Sequence, residues 1–206
     1  ANIAGATPEE CAEVAAKLDE TDVHMIELNI SCPNVKQGGA AFGTRCDMAE
    51  EVTKKVRAAT KKPLVVKLSP NVTSITEVAK AVEAAGADAV SLINTLLGMR
   101  IDINTGRPIL RNNVGGMSGP AVFPIAVRMV WQVANAVGIP VIGMGGVSSG
   151  RDAIELMMAG ASAVQVGAAI FTDPYAPVKI IDEMDDWLDS KGIASVKDII
   201  GTVKPW

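Results

Sequence analysis

The sequence lacks features that define several common classes of protein. Its 19 Lys and Arg form no cluster and are outnumbered by 23 Asp and Glu. Neutralising phosphates needs a basic face, so we expect no nucleic-acid partner. Every apolar run is broken well before the roughly 18 to 20 residues that span a bilayer, and no secretory signal opens the chain. These absences predict a cytoplasmic protein with no membrane segment. An initiating Met is also missing, because the chain starts at Ala1.

Cysteine and histidine are scarce, with three Cys and one His. The thiols of Cys11, Cys32 and Cys46 form no CxxC motif, which argues against a disulfide framework and a zinc site, and three thiols are too few for an ordinary iron–sulfur cluster. With a single His and no acidic cluster at strand ends, a metal site or a Ser-His-Asp triad has little support. We expect Cys11 and Cys46 to pack as small apolar groups.

What is present is an apolar chain of 206 residues, 49% hydrophobic, with short β-branched runs that alternate with helical patterns. This length and composition suit one globular domain, and the alternation predicts βα units. Predicted strands cover 24–30, 63–68, 88–94, 139–144 and 161–166. Predicted helices cover 8–20, 47–60, 74–86, 120–137, 150–159 and 174–190, with a short one after Ser195.

Two α/β architectures compete for this pattern. A doubly wound sheet needs a fingerprint such as GxGxxG after its first strand, and none is present. A (βα)8 barrel, or TIM barrel, carries its chemistry on the loops after the strands, where this sequence concentrates polar residues and glycine. The barrel is favoured, with the five strands as numbers 4 to 8 and 2–5 as the end of strand 3. The sequence thus predicts a single domain over 1–206 that lacks roughly the first three strands.

Two residues at predicted strand ends suggest chemistry. Cys32 lies just beyond an apolar strand, on a proline-constrained loop between two amides, which favours a reactive thiol over a buried one. Lys67 ends a buried run, where an ammonium group is unlikely to stay without a partner. Its alternatives are a side chain that snorkels to solvent or a fixed positive charge facing an electron-rich cofactor or an anion.

Further candidates follow the later strands. Asn94 and Thr95 can hydrogen-bond a polar heterocycle without ionising, although a turn role is the alternative. Gly145, Gly146 and Gly167 would let backbone N–H groups and a helix N-terminus approach an anion. The loops after strands 7 and 8 of (βα)8 barrels often bind phosphate, and these glycines follow the candidates for those strands. The alternative is that they only permit tight turns.

Six ordered motifs resemble the class 1 dihydroorotate dehydrogenases, and together they span essentially the whole chain. They are Asn29-Ile-Ser-Cys-Pro-Asn34, Val66-Lys-Leu-Ser-Pro-Asn71, Ile93-Asn-Thr-Leu-Leu-Gly-Met99, Gly115-Gly-Met-Ser-Gly-Pro120, Gly143-Met-Gly-Gly146 and Val166-Gly-Ala168. The loop after Asn94 and Thr95 is similar to that of the class 1B catalytic subunit.

The resemblance implies a role for each matching residue. Cys32 would be the catalytic base that removes a ring proton while hydride leaves for FMN. Substrate contacts would come from Asn29, Asn94 and Thr95, with Asn34 as an addition. The residues that would contact FMN are Asn2, Asn29, Lys67, Ile93, Gly119, Gly145, Gly146, Gly167 and Ala168.

The implied activity is oxidation of dihydroorotate to orotate in de novo pyrimidine (UMP) biosynthesis. The class 1B resemblance also implies a partner subunit with FAD and a 2Fe-2S cluster that passes electrons to NAD, in a homo-oligomer or heterotetramer. One alternative is a flavin domain similar to that of dihydropyrimidine dehydrogenase. Another is a barrel fragment that binds FMN or a partner chain without catalysis.

Overall fold

The computed structural model describes residues 1–31 and 40–206 and shows the predicted alternation of strands and helices. The strands are β1 (Asn2–Ile3), β2 (Ile26–Asn29), β3 (Leu64–Lys67), β4 (Ala89–Leu92), β5 (Leu96–Gly98), β6 (Ile101–Asp102), β7 (Arg107–Pro108), β8 (Gly115–Met117), β9 (Val141–Met144) and β10 (Ala163–Gln165). The α-helices are α1 (Pro8–Asp19), α2 (Ala40–Gly43), α3 (Cys46–Ala59), α4 (Ile75–Ala84), α5 (Phe123–Ala134), α6 (Gly150–Met158) and α7 (Ala176–Lys191).

Six strands form one parallel sheet in the order β1-β2-β3-β4-β9-β10. Strands adjacent in the sheet follow each other in the chain apart from the excursion between β4 and β9, and helices connect them, as in a (βα)8 barrel. The predicted α/β class, the five full strands and the strand stub at the start are therefore confirmed. Over the described residues the sheet stays open, with β1 and β10 at its two edges.

Side chains of β2 alternate between two environments. Ile26 and Leu28 are fully buried in the apolar core shared with the helices, whereas Glu27 and Asn29 are half-buried. β3 differs, because Leu64, Val65 and Val66 are all buried, the continuous pattern expected of a strand covered on both faces.

The sheet is strongly curved, and a side-chain contact across its concave face shows this directly. Gln165 Nε2 on β10 donates to Glu27 Oε1 on β2 at 3.2 Å. In a flat sheet two strands four positions apart would lie about 19 Å from each other, at roughly 4.8 Å per strand. The concave face is therefore the wall of a partial barrel, and the polar residues of alternate strand positions point into its lumen.

Helix starts follow their sequence signals. Thr7 Oγ1 accepts a hydrogen bond from Glu10 N at the start of α1, and Ser74 Oγ accepts one from Glu77 N at the start of α4. The predicted helix over 120–137 begins instead as a 3-10 turn at Pro120–Val122 before α5. Pro at position 124, in the first turn of α5, is compatible with that start, since its missing N–H has no intrahelical acceptor there.

The segment between β4 and α5 contains strands that the sequence pattern does not predict. Here β5 pairs with β8, and β6 pairs with β7, as two small antiparallel ladders. Strands of two or three residues are too short to show an alternating pattern, so they leave no periodic signal in the sequence.

Cys11 and Cys46 differ in their exposure to solvent. Cys11 is buried, as expected, and burial raises the pKa of its thiol. The expectation for Cys46 is wrong, because this residue opens α3 between the exposed Arg45 and Asp47 and is itself exposed.

Among residues 1–31 and 40–206, no helix is both long and apolar enough to cross a membrane.

Leu28→Ala tests the core beneath the site. We expect it to lower the free energy of unfolding by about 2–5 kcal/mol, because Leu28 is fully buried and its truncation leaves a cavity. Leu110→Ala is the control, since Leu110 is 50% exposed and should cost much less. Urea unfolding of both variants measures the difference, and equal losses would contradict the assigned core.

Candidate functional site

A cavity of about 180 Å³ lies where β3, β4, β9 and β10 end, at the carboxyl edge of the sheet. A second cavity of about 520 Å³ adjoins it and shares Gly119, Gly146 and Ala168 with it. Loops at this edge carry the active sites of (βα)8 enzymes, so the position agrees with the location predicted from sequence.

Nine of the predicted site residues line the smaller cavity: Lys67, Ile93, Asn94, Thr95, Gly119, Gly145, Gly146, Gly167 and Ala168. Ser118, Met144, Gln165 and Val166 also line it and were not predicted, although each adjoins a predicted residue in sequence or in the sheet. Cys32 and Asn34 lie outside the described residues. Asn2 on β1 and Asn29 on β2 do not line this cavity, and Asn2 donates a hydrogen bond to Glu27 instead. The structure therefore brings nine of the predicted residues together, while the individual roles of all of them remain predictions.

Asn29 and Asn94 meet through Ser31 beside the cavity, which Asn94 lines. Asn94 Nδ2 donates to Ser31 Oγ at 2.7 Å and to Asn29 Oδ1 at 3.4 Å. Ser31 in turn donates to Asn29 Oδ1 from both its hydroxyl, at 2.8 Å, and its backbone N–H, at 3.1 Å. Ser31 is fully buried and precedes Cys32 directly in the chain. The network fixes the side-chain amides of Asn29 and Asn94 relative to each other, and the sequence did not single out Ser31.

Thr95 is held by its backbone and by close packing. Asn71 Nδ2 donates to Thr95 O at 2.9 Å, and Thr95 N donates to Asn94 Oδ1 at 2.7 Å. Asn71 Oδ1 also accepts from Leu97 N at 3.0 Å, so one amide ties the loop after β3 to the start of β5. A Cβ on Gly116 would lie 2.1 Å from Thr95 Oγ1, so any larger residue there would displace the Thr95 side chain.

Two glycines shape the cavity wall in opposite ways. Gly146 has φ +82°, and a Cβ there would lie 2.7 Å from Gly119 O and 2.9 Å from Phe123 Cβ. Only glycine fits such a left-handed, crowded position. A Cβ on Gly167 would meet no atom within 4 Å, so the backbone of Gly167 faces open space on which a ligand can lie closely.

Backbone N–H groups that could serve an anion lie in the loop after β9 and at Gly167 and Ala168, where a 3-10 turn over Ala168–Phe171 begins. Within the described part of the chain, the N–H groups of Gly146, Gly167 and Ala168 donate to no protein acceptor. At the start of α6, carboxylates of the protein take up three N–H groups: Asp152 Oδ2 accepts from Ser148 N and Ser149 N at 2.9 and 3.0 Å, and Glu183 Oε2 accepts from Gly150 N at 2.5 Å. These three N–H groups are therefore not free for an anion, and anion binding at a helix N-terminus stays a prediction for Ala168.

Lys67 brings a positive charge to the cavity. Its ammonium group takes part in no ion pair or hydrogen bond with the described residues. A half-buried charge of this kind is costly unless a ligand or a nearby opposite charge compensates it. This supports the interpretation of Lys67 as a charge facing a ligand.

The carboxylate of Glu27 is influenced by the positive charge of Lys67. The sequence pattern did not single out Glu27. Its carboxylate accepts hydrogen bonds from Ser91 Oγ at 2.7 Å, from Gln165 Nε2 and from Asn2 Nδ2. Burial raises the pKa of Glu27, but the hydrogen bonds from Ser91, Asn2 and Gln165 and the charge of Lys67 outweigh it, so the pKa lies below its usual value. The group is therefore an anion at neutral pH.

These features fit an anionic, planar cofactor such as FMN. The two joined cavities offer free backbone N–H groups for a phosphate at one end and a lysine and amides for a polar ring at the other. Gly167 leaves room for close approach. No group of three or more His, Cys, Asp or Glu suited to a metal ion occurs among residues 1–31 and 40–206.

Comparison with known proteins agrees with this class of site. The profile of the dihydroorotate dehydrogenase family matches residues 1–188. Three relatives bear the name dihydroorotate dehydrogenase B (NAD(+)), catalytic subunit. The chain is 56% identical over 200 residues to the protein from Alkaliphilus oremlandii, 58% over 204 to that from Bacteroides thetaiotaomicron, and 56% over 205 to that from Trichlorobacter lovleyi.

The fold and site define a (βα)8-type α/β protein with a cavity at the carboxyl edge of its sheet. The chain belongs to the dihydroorotate dehydrogenase family. The alignments cover 97%, 98% and 99% of this chain, but only 66%, 67% and 67% of the three relatives. The chain thus spans about two thirds of the length of the curated relatives it matches.

Proposed function

We propose that this chain forms the FMN-binding catalytic site of an NAD-linked dihydroorotate dehydrogenase, which oxidises dihydroorotate to orotate in de novo pyrimidine biosynthesis. The observation that carries the proposal is the cavity lined by Lys67, Asn94, Thr95 and the glycines that follow β9 and β10. The relatives named above support the same activity.

Bound FMN would supply the hydride acceptor, and the protein supplies the remaining chemistry. Cys32 removes the proton from the ring carbon next to the carbonyl, since its thiolate is the basic form. Asn29 and Asn94, fixed through Ser31, orient the polar edge of the substrate. Lys67 provides positive charge where negative charge builds up during reduction.

Electron transfer beyond this site needs a second protein. The relatives are named as catalytic subunits and as NAD(+) enzymes, which supports a partner that passes electrons to NAD. The resemblance to class 1B catalytic subunits implies that this partner carries FAD and a 2Fe-2S cluster. The three Cys of the 206 residues are consistent with a cluster held elsewhere, because they are too few for a four-thiolate set. Assembly as a homo-oligomer or heterotetramer and a cytoplasmic location stay predictions.

The absorption spectrum of the purified protein tests the proposal. We expect bound flavin and loss of its visible absorption when dihydroorotate is added without an electron acceptor. Flavin that is present but not bleached would favour a barrel that binds FMN without catalysis. Bleaching by dihydrouracil in preference to dihydroorotate would favour the activity of dihydropyrimidine dehydrogenase instead. A protein that contains no flavin when purified and binds none when FMN is added would contradict all three of these functions.

Gly116→Ala tests the substrate side of the site. The added Cβ would overlap Thr95, lying 2.1 Å from Oγ1 and 2.6 Å from Cβ, so the side chain must move. We expect KM for dihydroorotate to rise about tenfold, equivalent to about 1.4 kcal/mol of lost binding, with FMN affinity unchanged.

Gly98→Ala is the control for that variant, because its added Cβ meets its nearest atom, Met117 Cβ, at 3.7 Å, an ordinary contact distance. Steady-state kinetics of both variants at saturating acceptor give the comparison. An unchanged KM in Gly116→Ala would remove Thr95 from the substrate site.

A further inference from the structure

The side chain of Glu27 joins four strands of the sheet within the lumen of the partial barrel. It belongs to β2, and its donors Asn2, Ser91 and Gln165 belong to β1, β4 and β10. All three donors are neutral, so they satisfy the carboxylate oxygens without cancelling their charge. Glu27 therefore keeps a full negative charge beneath the cavity.

Among the described residues, the positive charge of Lys67 helps to lower the pKa of this carboxylate. Glu27 pairs in register with Val65, and Asn29 pairs with Lys67. Because side chains two positions apart on a strand point to the same face, Glu27 and Lys67 lie on the same face of the sheet. The ammonium group lines the cavity, while the carboxylate is held deeper by its three hydrogen bonds. No direct ion pair joins them, so Lys67 stays available to a ligand.

Gln165 connects the carboxylate to the cavity by a second route. A carboxylate only accepts hydrogen bonds, so the Gln165 amide must turn its NH2 group toward Glu27. Its carbonyl oxygen is then the polar atom left for a ligand, and Gln165 lines the cavity. Glu27 thus fixes which end of this amide a bound ring meets.

We propose that Glu27 is a positioning residue whose negative charge sets the relative affinity of the site for oxidised and reduced FMN. This inference rests on the proposed function. Lys67 alone would favour reduced FMN, which carries more negative charge on its ring. The carboxylate offsets part of that positive charge, so it keeps the two oxidation states closer in affinity and lets electrons leave for the next acceptor.

The test compares the dissociation constants of oxidised FMN and of dithionite-reduced FMN, measured anaerobically on the full protein. In Glu27→Gln the ratio should move about tenfold in favour of reduced FMN, because a unit charge is removed from a half-buried site. For a two-electron couple this corresponds to a rise of about 30 mV in the potential of the bound flavin. Glu27→Asp keeps the charge and should leave the ratio within about threefold of the wild type.

The outcomes separate the two proposals. A wild-type protein that binds no FMN would overturn the proposed function and this inference together. Wild-type binding with an unchanged ratio in Glu27→Gln, or with equal shifts in Glu27→Gln and Glu27→Asp, would overturn this inference alone.

Ser91→Ala provides a second variant if Glu27→Gln does not fold. Loss of the Ser91 hydroxyl removes a hydrogen bond that lowers the pKa of Glu27. The carboxylate should then protonate at a higher pH than in the wild type, while the charge of Lys67 influences it in both proteins. The ratio should shift toward reduced FMN as pH falls, and a ratio that follows the wild-type pH profile would contradict the proposal.

Discussion

Gly146→Ala should abolish tight FMN binding, with a loss of affinity on the order of 100-fold, or about 2.7 kcal/mol. The added Cβ would lie 2.7 Å from Gly119 O, and the residue would have to keep φ at +82°, which favours glycine. Relief of the overlap would move Gly119 or Gly146, and both line the cavity. Titration of the apoprotein with FMN, followed by flavin fluorescence, measures the loss.

Gly106→Ala is the matched control for this variant. Gly106 also has a positive φ, +66°, but an added Cβ would meet no atom within 4 Å, and the residue belongs to the turn between β6 and β7. It carries the same kind of backbone strain without the overlap. FMN affinity in Gly146→Ala within about threefold of that in Gly106→Ala would show that the loop after β9 does not hold the cofactor.

Cys32→Ser should lower turnover of dihydroorotate by about 10²–10⁴-fold, the range expected when a general base is lost. A serine hydroxyl ionises far less readily than a thiol, whose ordinary pKa is about 8.5. FMN affinity should stay at the wild-type value, because the free N–H groups and Lys67 remain in place. In the wild type, activity should rise as pH approaches the pKa of the thiol.

Cys46→Ser provides the control, since Cys46 is exposed at the start of α3. Its turnover and pH profile should match those of the wild type. Rapid-mixing measurement of flavin bleaching isolates the reductive step from later electron transfer. Near-normal bleaching by Cys32→Ser at pH 8 would assign the base to another residue.

The βα order and the strand-end residues could be predicted from sequence because both depend on local signals. Apolar runs such as that of β3 and caps such as Thr7 and Ser74 act within a few neighbours. Lys67 could also be identified from the local sequence, because a charged residue is unusual at the end of a strand whose other residues are buried.

Glu27 and Ser31 were missed because their importance depends on distant strands. An acidic residue in a strand that alternates apolar and polar positions looks like an ordinary surface residue. Its three donors come from positions 25, 64 and 138 residues away in the chain. Strand pairing brings Asn2 to Glu27, but the curvature of the sheet is needed to bring Gln165 there, and no local pattern encodes that curvature.

The N-terminus of α6 shows another limit of local patterns, because carboxylates of the protein itself accept from N–H groups there. A glycine-rich loop before a helix indicates an anion site, yet two carboxylates of this chain take up donors there. Asp152 is three residues beyond Ser149 and completes a reciprocal capping box. Glu183 comes from α7, so its contribution could not be foreseen from the loop.

The carboxylate of Glu27 also makes the curvature of the wall sensitive to acid. It holds side chains of β1 and β10, the two edges of the described sheet, through hydrogen bonds that favour its ionised form. Its pKa in the folded protein is lowered, so this stabilisation is fully present above the unfolded pKa, about 4.3, and is lost as pH falls through the folded pKa. Acidification would therefore loosen both edges of the barrel wall through the same group that neighbours Lys67.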